Sequence, residues 1–447
     1  MNTSHTAYRS HVKFPAMSPV QFGKQDLIAH IEADTEKHTS LLQALIRTPS
    51  SNPPGDTADA INVVRKHLDL SGITAKLIAP KPNSPNLVSV LHGLADPRGP
   101  QSSRSLVLNS HIDQFPVSDA DEWERNPYSG DVEGGYVYGR SEVDMKAGTA
   151  ASIIAFNYLH QFRAHISGRC TLEIVSDEKA GGCWGTRYLL EDGGAEEWKG
   201  NCVLVAEPTS LESVHFGEKG TLRLDFMVTA PGAHGAYTHR SGGAIRITSR
   251  LIERMVALER LDLDMDESIR RHMQQPDVRK LADEIMWPGA SNSMLFPTVN
   301  IGTIQGGTSI NMVPSECTFT ADIRIPIGVK AEAIRKYIDD VVQDFEGVSY
   351  SARENHSHEA AYSDPKHEIV GLLQSNTRAL RGETPLALCS LGATDCKHFR
   401  SHGIPAYAYG PHPRGMAERD EKVSIEEFLH IIRVHTLTAW DYLGGPQ

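Results

Sequence analysis

The chain has no run near the roughly 20 consecutive apolar residues that cross a bilayer, no basic stripe, no CxxC pair and no low-complexity tract. The first absence excludes a membrane helix, and the opening MNTSHTAYRSHVKF lacks the apolar core of a signal peptide, so the expected location is the cytoplasm. With Lys+Arg 44 against Asp+Glu 56, the net charge is −12, spread without a cationic patch, which argues against nucleic acid or a membrane surface as partner. A small molecule fits better. The six cysteines (Cys170, Cys183, Cys202, Cys317, Cys389, Cys396) lie far apart and read as buried free thiols rather than disulfides or a thiolate zinc site.

What is present is length: 447 residues, about three times a common domain, which suggests two lobes. The first residues are polar and irregular, and 1–37 reads as an N-terminal extension. Helical periodicity begins with Leu41, Leu42, Leu45 and Ile46, and after a turn-rich stretch at 49–55 a second helix carries Ala60, Ile61, Val64 and Leu68 on one face, ending at Gly72. Short apolar runs at 87–91, 106–108, 172–175 and 203–206 then alternate with helical stretches near 147–163 and 184–191. This is the pattern of an α/β protein with a mixed, mainly parallel sheet covered by helices on both faces.

Near residue 220 the period changes. Leu222, Leu224, Phe226 and Val228 alternate with other residues, as in a strand of a sheet open on one side. Four strands and two helices make an inserted α+β unit over 217–355, between the first part of the larger lobe (1–216) and its second part (356–447). Residues 259–292, charged and partly helical, form a further insertion within that unit.

Polar residues follow the apolar strands. His111 and Asp113 follow the run at 106–108, Asp177 and Glu178 follow 172–175, and Glu207 follows 203–206, while Asp144 precedes the helix at 147. Ligands of open α/β sheets bind beyond the carboxyl ends of the strands, so these tips converge on one crevice. One imidazole among several carboxylates suits zinc, or manganese where oxygen donors dominate. Asp113, two residues from His111 on an extended segment, is placed to accept the second ring N–H and fix the tautomer. A single strand-end acid is more often a solvated turn; four at corresponding ends are not. His356, His358 and His367 read as solvated loop residues near the lobe boundary.

Taken in order, HIDQFP, YGRSEVDMKAG, SDEKAGGCWGTRYLL, AEPTS, PGAHG, GGTSINMVP, DIR and GATDCKHFRSHGIP resemble the two-zinc metallohydrolases that include aminoacylases, acetylornithine deacetylases, succinyl-diaminopimelate desuccinylases and carboxypeptidase G. The resemblance runs from about residue 38 to the C-terminus. It implies a hydrolase whose smaller lobe is a lid and dimerisation domain, giving a homodimer or higher homo-oligomer. It implies metal ligation by His111, Asp144 and Glu207, general base catalysis by Glu178 and orientation of His111 by Asp113. It also implies oxyanion stabilisation by His234 of the partner subunit and substrate contacts from Asn311, Arg324 and the turn containing Thr394.

Two positions depart from that pattern. Where the family has a second, metal-binding glutamate after its base, this chain has Lys179, and where it has a C-terminal ligand histidine the chain has Glu418. Both belong to the same metal. The expectation is therefore one Zn2+ or Mn2+ per subunit, with Lys179 and Glu418 ion-paired in the vacated space; the alternatives are a second ion held by Glu418 or His412, or an inactive site. The expected reaction is hydrolysis of a C–N bond, the amide of an N-acyl amino acid or similar small molecule. An aminohydrolase releasing ammonia and a non-catalytic ligand-binding homologue are the other readings.

Overall fold

The strands Ser105–His111, Arg169–Val175 and Cys202–Val205 are buried on both faces along almost their whole length. Such sequences can sit only in the middle of a covered parallel sheet. In the computed structural model, which describes residues 22–95, 103–118, 120–193, 196 and 198–447, they do so. Ser105–His111 pairs in parallel with Arg169–Val175 on one side and with Cys202–Val205 on the other, and Ala406–Ala408 continues the parallel set beside Cys202–Val205. The register places His111 opposite Val175 and Asn109 opposite Val205, so three strands end together. Antiparallel strands Lys76–Lys81, Ser84–His92 and Ser213–Glu218 extend the sheet, making the fold mixed but parallel at its centre.

The helix Ala147–Gln161 is buried nearly all round, packed between the sheet and the C-terminal helix Ile425–Tyr442. Its approach is fixed by a missing side chain: a Cβ on Gly148 would lie 2.1 Å from the Ala206 carbonyl oxygen. Gly410 is similar, with a Cβ placed 2.3 Å from the Glu207 carbonyl oxygen. The strand end bearing Glu207 is thus gripped from both sides by backbone alone.

The smaller lobe is a four-stranded antiparallel sheet ordered Thr298–Gly306, Glu316–Ile325, Gly220–Thr229, Val348–Ala352. Alternate residues of Glu316–Ile325 are buried, as expected of a sheet with one covered face, and the helices Ala244–Val256 and Ala331–Gln343 carry buried apolar rows of their own. Phe226 and Phe319 stack with ring centres 4.5 Å apart in this core.

Two sequence expectations change. Residues 24–33 are not irregular: Lys24–Ala33 is a helix whose only buried side chains are Leu27 and Ile31, tied to the C-terminal helix by the 2.8 Å Lys24–Asp441 salt bridge. Two apolar residues in ten give almost no periodic signal, so tertiary contact rather than pattern makes this helix. Residues 1–21 of the expected extension lie outside the described residues. The insertion, with helices Glu267–Met273 and Pro276–Ile285, does not sit on the lid alone. His272 Nε2 bonds the Ala387 carbonyl of the larger lobe at 2.9 Å, and the helix Pro276–Ile285 packs on the strand Leu386–Ser390 of that lobe. It straps the two lobes together. Five cysteines are buried and Cys183 is half-buried, and among the described residues no disulfide joins them. Among the described residues no helix is long and apolar enough to cross a membrane.

Gly148→Ala should force the helix or the 205–207 strand end to move. The expected loss is about 1–3 kcal/mol in urea unfolding, with an unchanged m-value; wild-type stability would show that the contact can relax.

Candidate active site

His111 ends its strand with only 1% of its surface exposed. Its Nδ1 lies 2.9 Å from the backbone carbonyl oxygen of Asp113, which leaves Nε2 facing the strand tips. There Nε2 lies 3.0 Å from Asp144 Oδ1, 3.5 Å from Glu207 Oε1 and 3.8 Å from Glu178 Oε2. A ring nitrogen and carboxylate oxygens of His111, Glu178 and Glu207 fall within 4.8 Å of one another; Asp144 is not part of that group, its two oxygens being bonded to Lys179 with Oδ1 3.0 Å from His111 Nε2. These donors, one nitrogen and several hard oxygens, fit zinc or manganese.

Asp113 holds the imidazole differently from the sequence expectation. The main contact is through its carbonyl; its carboxylate stands 3.5 Å from Nδ1 and is spent elsewhere. It accepts the backbone N–H of Glu178 at 3.2 Å and of Lys179 at 2.9 Å, and the Asn52 amide at 2.9 Å. One residue therefore fixes the ring and the turn carrying the base.

Lys179 enters the site rather than leaving it. Its Nζ is 2.7 Å from each Asp144 oxygen, 2.9 Å from Glu178 Oε2 and 3.3 Å from His111 Nε2, above the Phe115 ring. Burial raises the Asp144 carboxyl, but the Lys179 ammonium and the His111 ring outweigh it and hold it well below its ordinary value. Glu178 is likewise raised by burial and brought below its ordinary value by Lys179 and His111. Glu207, buried beside Asp144, is raised.

The expected Lys179–Glu418 ion pair does not form. Glu418 is exposed, and its contribution is a backbone carbonyl that accepts from Arg140 at 3.1 Å. His412 is also directed away, its Nδ1 accepting the Arg414 N–H at 3.1 Å. Three residues on, Glu421 does what the sequence did not reveal. Buried, it accepts the backbone N–H groups of Ser141 and Val143 at 3.1 and 3.0 Å and pairs with Arg140 at 3.2 Å. It thereby holds the turn that presents Asp144. Burial raises its carboxyl to about 7 despite those bonds.

Beyond these groups a cavity of about 750 Å3 opens between the lobes. Arg324 lines it, with its Nε 2.8 Å from Asp322 and Nη1 3.2 Å from Thr221. Thr394 also lines it, but its hydroxyl donates to Glu218 at 2.7 Å. His234 and Asn311 do not line the cleft of their own chain: His234 is exposed with Nδ1 accepting from Ala236, and Asn311 accepts from Ser309 on the same exposed tip. His356 is exposed, as expected, at the rim of the cavity; His358 is a half-buried cleft residue, burial lowering it to about 4, and His367 caps the helix Glu368–Arg381. Sequence reasoning also missed Lys397 and the insertion residues Ile285, Met286 and Trp287, which form an apolar wall of the cavity. Trp287, 62% exposed and held at φ +67°, had no periodic pattern to mark it.

Residues 107–441 match the model of Peptidase family M20/M25/M40. The chain is 26% identical over 433 residues to an N-formyl-4-amino-5-aminomethyl-2-methylpyrimidine deformylase of Halalkalibacterium halodurans, covering 91% of this chain and 93% of that one. It is 28% identical over 350 residues to a succinyl-diaminopimelate desuccinylase of Ruegeria pomeroyi, covering 76% and 84%. Its fold resembles the M20 family metallo-carboxypeptidase Sso-CP2 of Sulfolobus solfataricus with a TM-score of 0.74 at 17% identity, over 91% of this chain and 99% of that one.

The two C-terminal acids separate cleanly by experiment. Glu421→Ala should cost about 3 kcal/mol in denaturant unfolding, because it strands a buried guanidinium and two N–H groups, and should weaken metal binding. Glu418→Ala should stay within about 0.5 kcal/mol; equal effects would mean that Glu421 does not hold the turn.

Proposed function

Because this chain belongs to Peptidase family M20/M25/M40 and is a metal-dependent hydrolase, we propose that it cleaves the amide bond of an N-acyl amino acid or a related small molecule, using a single divalent ion. The observation that carries the single ion is the position of Lys179. Three site carboxylates, Asp144, Glu178 and Glu207, facing one ammonium leave a charge of −2, which one divalent cation neutralises and two would reverse. An ammonium 2.7 Å from both Asp144 oxygens occupies the side of that carboxylate where a second ion would need to sit. His111, Asp144 and Glu207 would hold the ion.

A bound divalent ion supplies Lewis acidity toward the carbonyl and makes water a stronger acid. Glu178, at the tip of its strand and fixed through its backbone N–H by Asp113, takes a proton from the attacking water. It then delivers that proton to the nitrogen as the C–N bond breaks, ending unchanged. Lys179 keeps Glu178 ionised and ready to accept. The apolar wall of Met286 and Trp287 suits an acyl or side-chain group larger than formyl.

The site also favours a homodimer. His234 and Asn311 stand on an exposed tip with Ile310 and Met312, beside the edge strand Thr298–Gly306 and its exposed Ile304. An apolar patch of this kind on an edge strand is an association surface. His234 of the partner subunit would then stabilise the oxyanion that develops on the carbonyl.

Elemental analysis of metal-saturated protein should give one tightly held ion per chain; two would defeat the single-ion reading. Glu178→Gln should lower kcat by about 10²–10⁴-fold while retaining ligand binding. Sedimentation should show a dimer, and mixing His234→Ala with Glu178→Gln chains should restore activity through heterodimers; a fully active monomer would remove any role of a partner.

A further inference from the structure

Of the five tryptophans in the chain, four have a partner for the indole face. Trp123 lies under the Arg140 guanidinium at 4.9 Å, Trp184 under Lys81 at 5.4 Å and Trp198 under Lys76 at 5.7 Å, while Trp440 meets the Phe22 ring at 5.8 Å. Trp287 is the exception. Among the described residues no ring or cation lies on its indole, which is 62% exposed in the wall of the cleft. An indole left in water forgoes the burial that makes tryptophan favourable, so packing does not account for this residue. Its backbone adds a cost, because φ +67° lies in the left-handed region, which a bulky side chain adopts only where its surroundings impose it.

Those surroundings are built for the purpose. Trp287 follows the helix Pro276–Ile285, and the Asp283 carboxylate of that helix accepts the N–H groups of Gly289 and Ser291 at 3.1 and 2.8 Å and the Ser291 hydroxyl at 3.0 Å. These bonds close the turn on which Trp287 stands. The helix packs on the strand Leu386–Ser390, so the indole is carried by an element fixed to the larger lobe. Ile285 and Met286 line the cavity beside Trp287 in the chain, and the exposed Met416 joins the lining from the larger lobe. Phe115 lines it too, but the Lys179 ammonium already sits over its ring at 5.0 Å. A preformed apolar surface with one free aromatic face suits a flat ring, which loses less conformational freedom on stacking than a flexible chain does. A cation could also sit on an indole, but Arg223, Arg324 and Lys397 line the same cavity and disfavour one, which leaves a neutral ring.

We propose that Trp287 determines specificity by stacking on an aromatic ring of the substrate, a role that rests on the amidohydrolase reading above. The substrate class it selects is an amide carrying a neutral aromatic group, in the acyl half or in the amine half, in preference to an aliphatic group of the same size. The left-handed turn is then kept for where it puts the indole rather than for stability.

The test uses metal-loaded full-length protein and amides that differ in the group offered to the wall. These are N-acetylglycine, N-benzoylglycine with the ring in the acyl half, N-acetylphenylalanine with the ring in the amine half, and the cyclohexyl counterpart of each ringed probe. Wild-type protein should favour at least one aromatic probe over N-acetylglycine by about tenfold or more in kcat/KM, and over its cyclohexyl counterpart by about threefold or more. The probe that gains shows which half carries the ring. Trp287→Gly, whose new residue suits the left-handed backbone, should melt close to wild type and bring the aromatic preference near one. Trp287→Phe should keep most of the preference and Trp287→Leu should not; circular dichroism checks that all three fold. Equal rates on aromatic and cyclohexyl probes, no binding of any ringed probe, or Trp287→Gly protein that keeps the preference overturns the proposal. Calorimetry reads binding separately. Aromatic probes that wild type binds but does not cleave, and that Trp287→Gly protein binds about tenfold more weakly, leave the ring site standing and remove the hydrolase reading. Aromatic probes and N-acetylglycine cleaved alike leave the hydrolase and remove the ring site.

Discussion

The bond between the Lys179 ammonium and the two oxygens of Asp144 organises this site. At 2.7 Å to each oxygen, and buried, it sets the charge that any bound ion must complete. It keeps two carboxylates ionised against the pull of burial. Without a cation at that point, Asp144, Glu178 and Glu207 would repel one another in a region of reduced dielectric, and the strand tips would have to separate or take up protons.

The backbone around that bond has a consistent construction in which acids hold N–H groups. Asp113 holds the amides of Glu178 and Lys179, and Glu421 holds those of Ser141 and Val143. Each buried carboxylate satisfies amides that irregular turns would otherwise leave unpaired. Two glycines let neighbouring backbone close on the Glu207 strand end. The side chains that meet the substrate can therefore vary, because the geometry of the tips is fixed by groups behind them.

Much of this was legible in the sequence where the signal is local. Buried parallel strands are apolar along their whole length, so their ends are easy to find, and His111, Glu178 and Glu207 follow directly. The contrast between continuous runs before residue 220 and alternation after it marked the change from a covered sheet to an open-faced one. What failed was inference across space. The family resemblance suggests a Glu418–Lys179 pair, but Ala417 and Asp420 adopt left-handed backbone angles of 62° and 51°, and the loop turns Glu418 outward while Glu421 turns in. No pattern in a short irregular loop encodes that rotation. Lys397 and Trp287 carry no signal for a related reason: one lies in a six-residue helix, the other in a turn, and their place on the cavity wall comes from elements distant in the chain.

A tethered cation behaves unlike a dissolved one. It is present at fixed stoichiometry from the moment the chain folds, cannot be taken by a chelator, and is not exchanged for a competing metal. With the single ion proposed above, filling the site would depend on the first power of free metal concentration, whereas a centre that gathers two ions in succession responds more steeply and fails sooner in scarcity. On that reading, Lys179 turns part of an inorganic requirement into an inherited one.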